Sequence, residues 1–315
     1  MADKDDVFSA FEAVLIDQAQ TNPWLTLPGS EPVYQPDYGL LELLLRIPIA
    51  EGSGSESGRL AKAIDSWVAY ELRRSGFPPD EVWPRLTRPR VLPREVGLFI
   101  DGLPKRLQGE VRQQLLKNKS VAPSDARVLG RAYVKQVDVL VAQWARGPEL
   151  LVSTKSMVSS FRNNLSNRFE ESYGDAKNLR GRYPMASMGF LFVLRSTVLD
   201  EPGTFEKVLD MLRKLRAETD VYDATCVVVA EWEDREFAGV TVRRDVVPED
   251  LGVARFMETL VRATLDRTPI EMHVGVRERR EHRIIPLEES DSGEIVPKGS
   301  RTTQTNPAPT PSGPD

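Results

Sequence analysis

Two hydrophobic periods alternate along the chain. Residues 7–20, VFSAFEAVLIDQAQ, place Val7, Phe11, Val14 and Leu15 on one helical face, and Leu40 to Leu45 forms a second apolar helical piece. Between them Pro23, Pro28, Pro32 and Pro36 interrupt any regular helix. The segment SGRLAKAIDSWVAYELRRSGF predicts a long helix, capped near Ser57 and stopped at Gly76, with Leu60, Ile64, Trp67, Val68 and Leu72 as its buried stripe. Asp65 borders that stripe, and small Ala61 and Ala69, one turn to either side, leave room to approach its carboxylate. Residues 78–130 are Pro- and Arg-rich, then helical (GEVRQQLLKNK), and predict an inserted subdomain.

The period then shortens to two. Residues 134–144 and 150–155 predict a strand pair turning through Ala145-Arg146-Gly147-Pro148. A helix follows from Ser159 to Tyr173, with Phe161, Leu165, Phe169 and Tyr173 as its core stripe. GFLFVL at 189–194 and ATCVVVAEW read as buried strands, separated by the helix TFEKVLDMLRKLRAE, and a last helix covers 249–265. Helix, hairpin, helix, strand, helix, strand is the order of an α/β fold with a mixed sheet and helices on its faces. GSGSESG at 52–58 reads as a flexible linker, and the polar, Pro-rich stretch from 286 to 315 as a disordered tail. The expected organisation is an acidic, mostly helical region at 1–56, a core at 57–285 carrying the helical insertion at 78–130, and the tail.

Composition narrows the function classes. At 315 residues the chain can bury a substantial core. No apolar run approaches the ~20 residues of a membrane span, and the acidic start MADKDDVFSAF lacks a signal-peptide pattern. Cys226 is the sole cysteine, which excludes an intrachain disulfide and a cysteine-rich zinc site and predicts a cytoplasmic setting. His273 and His282 lie late in a charged segment with no nucleophile elbow, and no Gly-rich phosphate loop is present. The net charge of -5 is unevenly spread. Residues 1–56 hold ten acidic and two basic side chains, whereas residues 73–119 hold eleven basic and five acidic, and residues 155–182 six basic and three acidic. The two basic segments suit a polyanion.

One stretch poses a chemical question. VDVLVAQWARGPELLVSTK, from Val137 to Lys155, ends an apolar strand on a lysine and sets an aspartate, Asp138, in the paired strand. A charge in such a place costs free energy unless an opposite charge meets it. Strand alternation puts Ser153 and Lys155 on one face, the hairpin can bring Asp138 beside them, and Asp65 on the preceding helix can join.

On these residues the sequence resembles the PD-(D/E)XK nuclease superfamily, the fold of many restriction endonucleases, over residues 57–230. That pattern is a helix with an acidic residue, a strand with an Asp, a hairpin, a strand with an acidic residue two before a Lys, then a helix. Asp65, Asp138 and Lys155 fall on three of these places, and Ser153 stands where the second acidic residue is expected. The resemblance implies an αβββαβ core and a DNA endonuclease dependent on Mg²⁺, with Mn²⁺ as a substitute, serving restriction or antiviral defence. It implies a homodimer, with other proteins of a defence system as further partners. Asp138, Glu170 and Asp65 would hold the metal, with Glu170 replacing the missing carboxylate and Glu171 or Glu149 as alternatives. Lys155 would orient the attacking water and offset the charge of the transition state, beside Ser153. In SSFRNNLSNRFEESYGDAKNLRGRYP, the residues Arg162, Asn163, Asn167, Arg168, Lys177, Arg180 and Arg182 are candidates for DNA contact, with Ser159, Ser160, Asn164 and Asn178 as further donors and Arg85, Arg88, Arg90 and Arg94 as a looser set. The rival expectation is a nuclease-like module or partner subunit that binds nucleic acid without cutting it, to which Ser153 points.

Overall fold

A computed structural model describes residues 8–52, 58–118, 120–233 and 239–285. Most of the expected linker, and all of the expected tail, lie outside the described residues. The elements run α1 (Ser9–Leu15), β1 (Trp24–Leu25), β2 (Val33–Tyr34), α2 (Tyr38–Ala50), α3 (Arg59–Ser75), β3 (Val82–Trp83), α4 (Arg94–Gly102), α5 (Lys105–Lys117), β4 (Ala126–Leu129), β5 (Val134–Val137), β6 (Val139–Gln143) and β7 (Gly147–Met157). They continue as α6 (Phe161–Arg180), β8 (Ser187–Arg195), α7 (Thr204–Ala217), β9 (Ala224–Glu231), β10 (Thr241–Val242), α8 (Val253–Asp266) and α9 (Val274–Glu281). The fold is mixed α/β, as the alternation of periods predicts.

Six strands form one sheet in the order β10-β9-β8-β7-β6-β3. β7, β8 and β9 are parallel, while β6 is antiparallel to both β7 and β3, and β10 to β9. Parallel strands need helical crossovers, and α6 and α7 supply them. Both helices lie on one face over Leu151, Phe190, Phe192 and Val229. On the other face α1, α2, α3 and α8 pack over Val139, Val152, Leu191 and Val228. Coverage of both faces explains why β8 and β9 read as continuous apolar runs rather than alternating ones. The N-terminal elements place Phe11, Leu41, Leu44 and Leu45 in the same core as α3, so residues 8–52 share the central hydrophobic cluster. Among the described residues no helix is long and apolar enough to cross a membrane.

α3 is the central helix. From Ala63 to Ser75 every residue is buried, polar ones included. It ends at Gly76 with φ 108°, a left-handed position where a Cβ would lie 2.6 Å from the Gly275 carbonyl oxygen, so α9 crosses here at backbone contact. Gly189 on β8 allows an equally close approach, because a Cβ there would lie 2.7 Å from the Phe256 ring of α8.

Two elements differ from the expected ones. The strand expected at 134–144 is broken at Asp138 into β5, which pairs with β4 in a separate two-stranded ribbon, and β6, which enters the main sheet. The helix after β7 begins at Phe161 and runs to Arg180, and its buried stripe is Phe161, Leu165, Ser172, Ala176 and Leu179, with Tyr173 exposed. Steps of four residues drift by about 40° each on a 3.6-residue helix, so three of them carry Tyr173 about 120° away from the face that Phe161 buries.

Candidate functional site

The break at Asp138 builds the site. Ala126 of β4 pairs with Val137 of β5, so Asp125 and Asp138 flank the base of the ribbon on adjacent chains. The ribbon tip is clasped by Asn178 of α6, whose Oδ1 accepts from the Ala132 N–H at 2.8 Å and whose Nδ2 donates to the Tyr133 carbonyl at 3.1 Å. Lower down, Lys135 pairs with Asp175 of α6 at 2.5 Å, and the Tyr133 hydroxyl donates to the same carboxylate at 3.2 Å.

Asp138 turns its side chain back into the main sheet. Its Oδ2 accepts the backbone N–H of Thr154 at 2.9 Å, with the Ser153 hydroxyl at 3.5 Å. Thr154 points to the opposite face and donates its hydroxyl to Oδ1 of Asp65 at 2.5 Å. Asp65 therefore reaches the site from the α3 side through Thr154, and not on the face of Ser153 and Lys155. It is only 1% exposed, because α3 is buried on every side at this point. Its second oxygen, Oδ2, is buried without a hydrogen bond and lies 3.3 Å from Lys62 Nζ. Lys62, one turn earlier on α3, also binds Asp125 Oδ1 at 2.9 Å.

The electrostatics follow from this crowding. Burial, and then the neighbouring Asp138, push the Asp65 carboxyl up to about 7, with Lys62 and the Thr154 hydroxyl opposing. Burial also raises Asp138, against the Thr154 N–H, Lys155, Lys62 and Lys135. Burial disfavours the Lys62 ammonium, but Asp65 and Asp125 overcome it and hold its pKa above the usual lysine range. Asp125 is pulled down, since Lys62 outweighs its partial burial. Lys155 is half-buried on β7 and makes no ion pair among the described residues.

The three glutamates expected as alternatives for a second carboxylate lie apart from Asp138 or are engaged elsewhere. Glu170 is exposed without a hydrogen bond or ion pair among the described residues, and Glu171 pairs with Arg168 at the surface at 2.9 Å. Glu149 sits at the start of β7, away from Lys155, where Arg146 and His273 hold it beside Glu81. All four carboxylate oxygens of Glu81 and Glu149 accept from Arg94, Arg146 or His273, so that cluster is a closed ion-pair network. Asp65 is the carboxylate coupled to Asp138, and Asp125 is tied to Asp65 through Lys62. A two-residue strand offset picks out Asp138, but Asp125 becomes visible only once β4 is known to pair with β5.

The residues expected to contact DNA divide. Arg162, Asn163, Asn167 and Arg182 are exposed on or after α6. Lys177 donates to the Thr219 carbonyl at 2.6 Å, and half-buried Arg168 serves Glu171. Arg180 is a correction: it is buried, donates to the Ala186 carbonyl at 2.5 Å and to Asp223 at 2.7 Å, and holds the start of β8 and β9 in place. Asn178 is likewise spent on the ribbon. In the looser set Arg90 is buried on Glu12 at 2.7 Å, and half-buried Arg94 pairs with Glu81 at 2.7 Å. The ribbon itself adds exposed Arg127 and Arg131, which the sequence pattern does not single out.

A hard cation such as Mg²⁺ or Mn²⁺ takes oxygen donors of this kind. Among the described residues, however, the ligand atoms of Asp65, Asp125 and Asp138 do not gather as closely as those of Glu81, Glu149 and His273, and the second Asp65 oxygen is met by Lys62 at 3.3 Å. Comparison of the chain with family models, with curated proteins and with solved structures finds no match.

Proposed function

We propose that the chain is a divalent-cation-dependent deoxyribonuclease of the PD-(D/E)XK type that hydrolyses phosphodiester bonds in restriction or antiviral defence. The observation that carries this reading is Asp138, beside Lys155 where β6 leaves the ribbon and linked through Thr154 to Asp65 on the other side of β7, which Lys62 in turn ties to Asp125. Supporting the reading, α3, β3, β6, β7, α6 and β8 follow an αβββαβ order once α4, α5, β4 and β5 are set aside as the insertion, with β6 antiparallel to its neighbours. Asp138, Asp65 and Asp125 would hold the cation, which would supply charge neutralisation at the scissile phosphate. Asp138 is oriented for this by the Thr154 N–H, and Asp65 by the Thr154 hydroxyl. Lys155, which lies near Asp138 and makes no ion pair among the described residues, would meet the phosphate and the attacking water. Exposed Arg127, Arg131, Arg162 and Arg182 would follow the DNA backbone away from the site. Cutting both strands would call for two copies of the chain, hence a homodimer on DNA, alone or with partner proteins of a defence system.

The test is incubation of the full chain with unmodified plasmid or phage DNA in Mg²⁺, Mn²⁺ or EDTA. Metal-dependent cleavage lost in Lys155→Ala and Asp138→Asn, with DNA binding retained by Lys155→Ala, is the expected result. An equally active Lys155→Ala protein would overturn the assignment. A second reading, a nucleic-acid-binding module that does not cut, is favoured by Ser153 in the place of a carboxylate. It predicts salt-sensitive DNA binding and no cleavage in any metal.

A further inference from the structure

The outer face of α8 carries Arg255, Thr259 and Arg262 at steps of four and three residues, so the three side chains stand in one row. A cavity opens on each side of that row, and the row lines both. The first, about 300 Å³, lies against the start of β9 and is lined also by Arg216, Asp223 and Asp250. The second, about 400 Å³, has Trp24 and Tyr38 in its wall. Both acids of the first cavity are already neutralised. Asp223 accepts from Arg180 at 2.7 Å and from Arg267 at 2.5 Å, and Asp250 from Arg213 at 2.8 Å and Arg216 at 3.1 Å. Arg255 reaches Glu258 at 3.4 Å, and Arg262 makes no ion pair or hydrogen bond among the described residues. Six arginines thus share three carboxylates, and the surplus positive charge lies on the row between the cavities.

We propose that the cavity against β9 binds the phosphate of a small phosphate-bearing molecule, between Arg255 and Arg262 of α8 and Arg216 of α7. The guanidinium fork matches the oxygens of a phosphate in pairs, which is why arginine rather than lysine suits such a place. The volume is that of a small-molecule site. A DNA duplex presents a convex backbone and does not enter a recess of this size, whereas a free phosphate-bearing molecule does. The adjoining cavity leaves room for the rest of that molecule beside Trp24 and Tyr38. None of these residues belongs to the candidate site at Asp138, so the inference stands whether or not the chain cuts DNA.

The experiment is calorimetric titration of the full chain with inorganic pyrophosphate, and separately with a short DNA duplex, comparing wild type, Arg262→Ala, Arg255→Ala, Arg262→Lys and Lys214→Ala. Lys214 is exposed on α7, pairs with Asp210 and lines neither cavity, so its removal reports the effect of charge alone. The expected result is one pyrophosphate per chain, bound roughly ten- to a hundredfold more weakly by Arg262→Ala and by Arg255→Ala. Arg262→Lys keeps the charge without the fork and loses less. Lys214→Ala binds as wild type does, and duplex affinity is the same in all five proteins. Arg255 and Arg262 are exposed, so an unchanged melting temperature accompanies their loss. Absence of pyrophosphate binding in wild type would overturn the site, and so would equal binding by Arg262→Ala or an equal loss in Lys214→Ala. Loss of duplex affinity in Arg262→Ala would overturn it in favour of a DNA backbone on this face, whatever pyrophosphate does.

Discussion

The Thr154 hydroxyl meets Oδ1 of Asp65 at 2.5 Å, and this bond ties the central helix to the middle of the sheet. The same residue gives its backbone N–H to Asp138 at 2.9 Å, so two acids on opposite sides of β7 are held by one threonine.

Thr154→Val keeps the shape and removes the donor. Asp65 then has both oxygens without a hydrogen bond in a buried place, which costs about 1–3 kcal/mol. The bond favours the ionised carboxylate, and Asp65 ionises near pH 7, so the loss in urea unfolding is larger at pH 8 than at pH 5. An equal loss at both values would show that Thr154 matters by packing alone.

Glu71 predicts a second pH effect, away from the candidate site. Burial raises its carboxyl to about 7, with Arg74 and the Asp37 N–H opposing. An unfolded glutamate titrates near ~4.3. Between these values the folded chain keeps a proton that the unfolded chain has lost, so this contribution is fully present below the unfolded pKa and is lost as pH rises toward 7. It amounts to roughly 4 kcal/mol. Glu71→Gln flattens the fall in unfolding free energy between pH 5 and 8 relative to wild type. Parallel curves for the two proteins would remove Glu71 as a source of the slope.

Gly76→Ala tests the contact between α3 and α9. Its φ of 108° resists a side chain, and so does the Gly275 carbonyl oxygen, 2.6 Å from where a Cβ would stand. Backbone strain of this kind costs about 1–3 kcal/mol. The urea midpoint falls accordingly, and an unchanged midpoint would mean that α9 shifts freely.

On the proposed nuclease reading, two arginines separate DNA contact from architecture. Arg127 is exposed on the ribbon beside Asp125, whereas Arg180 is buried among carbonyls and Asp223. Arg127→Ala should weaken DNA binding and reduce the salt slope by about 1. Arg180→Ala should lower thermal stability and leave that slope unchanged. The reverse pattern would place the DNA elsewhere.

Much of this arrangement is legible in the chain. Buried parallel strands announce themselves as GFLFVL and ATCVVVAEW, and the hairpin places Asp138 near Ser153 by period alone. Alternation also contains the role of Thr154, since the face it shares with Val152 is the face α3 covers. The carboxylate of Asp125 is not legible, because its place depends on the pairing of Ala126 with Val137 and on a break at Asp138 that apolar flanks conceal. Nor is the loss of Arg180 and Asn178 to internal bonds, because helical spacing does not say how deep a long polar helix is set. Ser172, Asp175 and Asn178 carry the α6 face inward with polar side chains where an apolar stripe is the usual signal.

The clasp of Asn178 on the ribbon tip gives the chain a remote adjustment of its acids. Asp125 and Asp138 stand at the foot of that ribbon, and their separation is inherited from a side chain 46 residues downstream of Ala132, on a different helix. Gly130 leaves room for the clasp, since a Cβ there would overlap the Asn178 amide. In a saturation screen for loss of function, Asn178 and Gly130 would therefore score beside the acids themselves, and a map of sensitive positions would trace the ribbon as an extension of the proposed site.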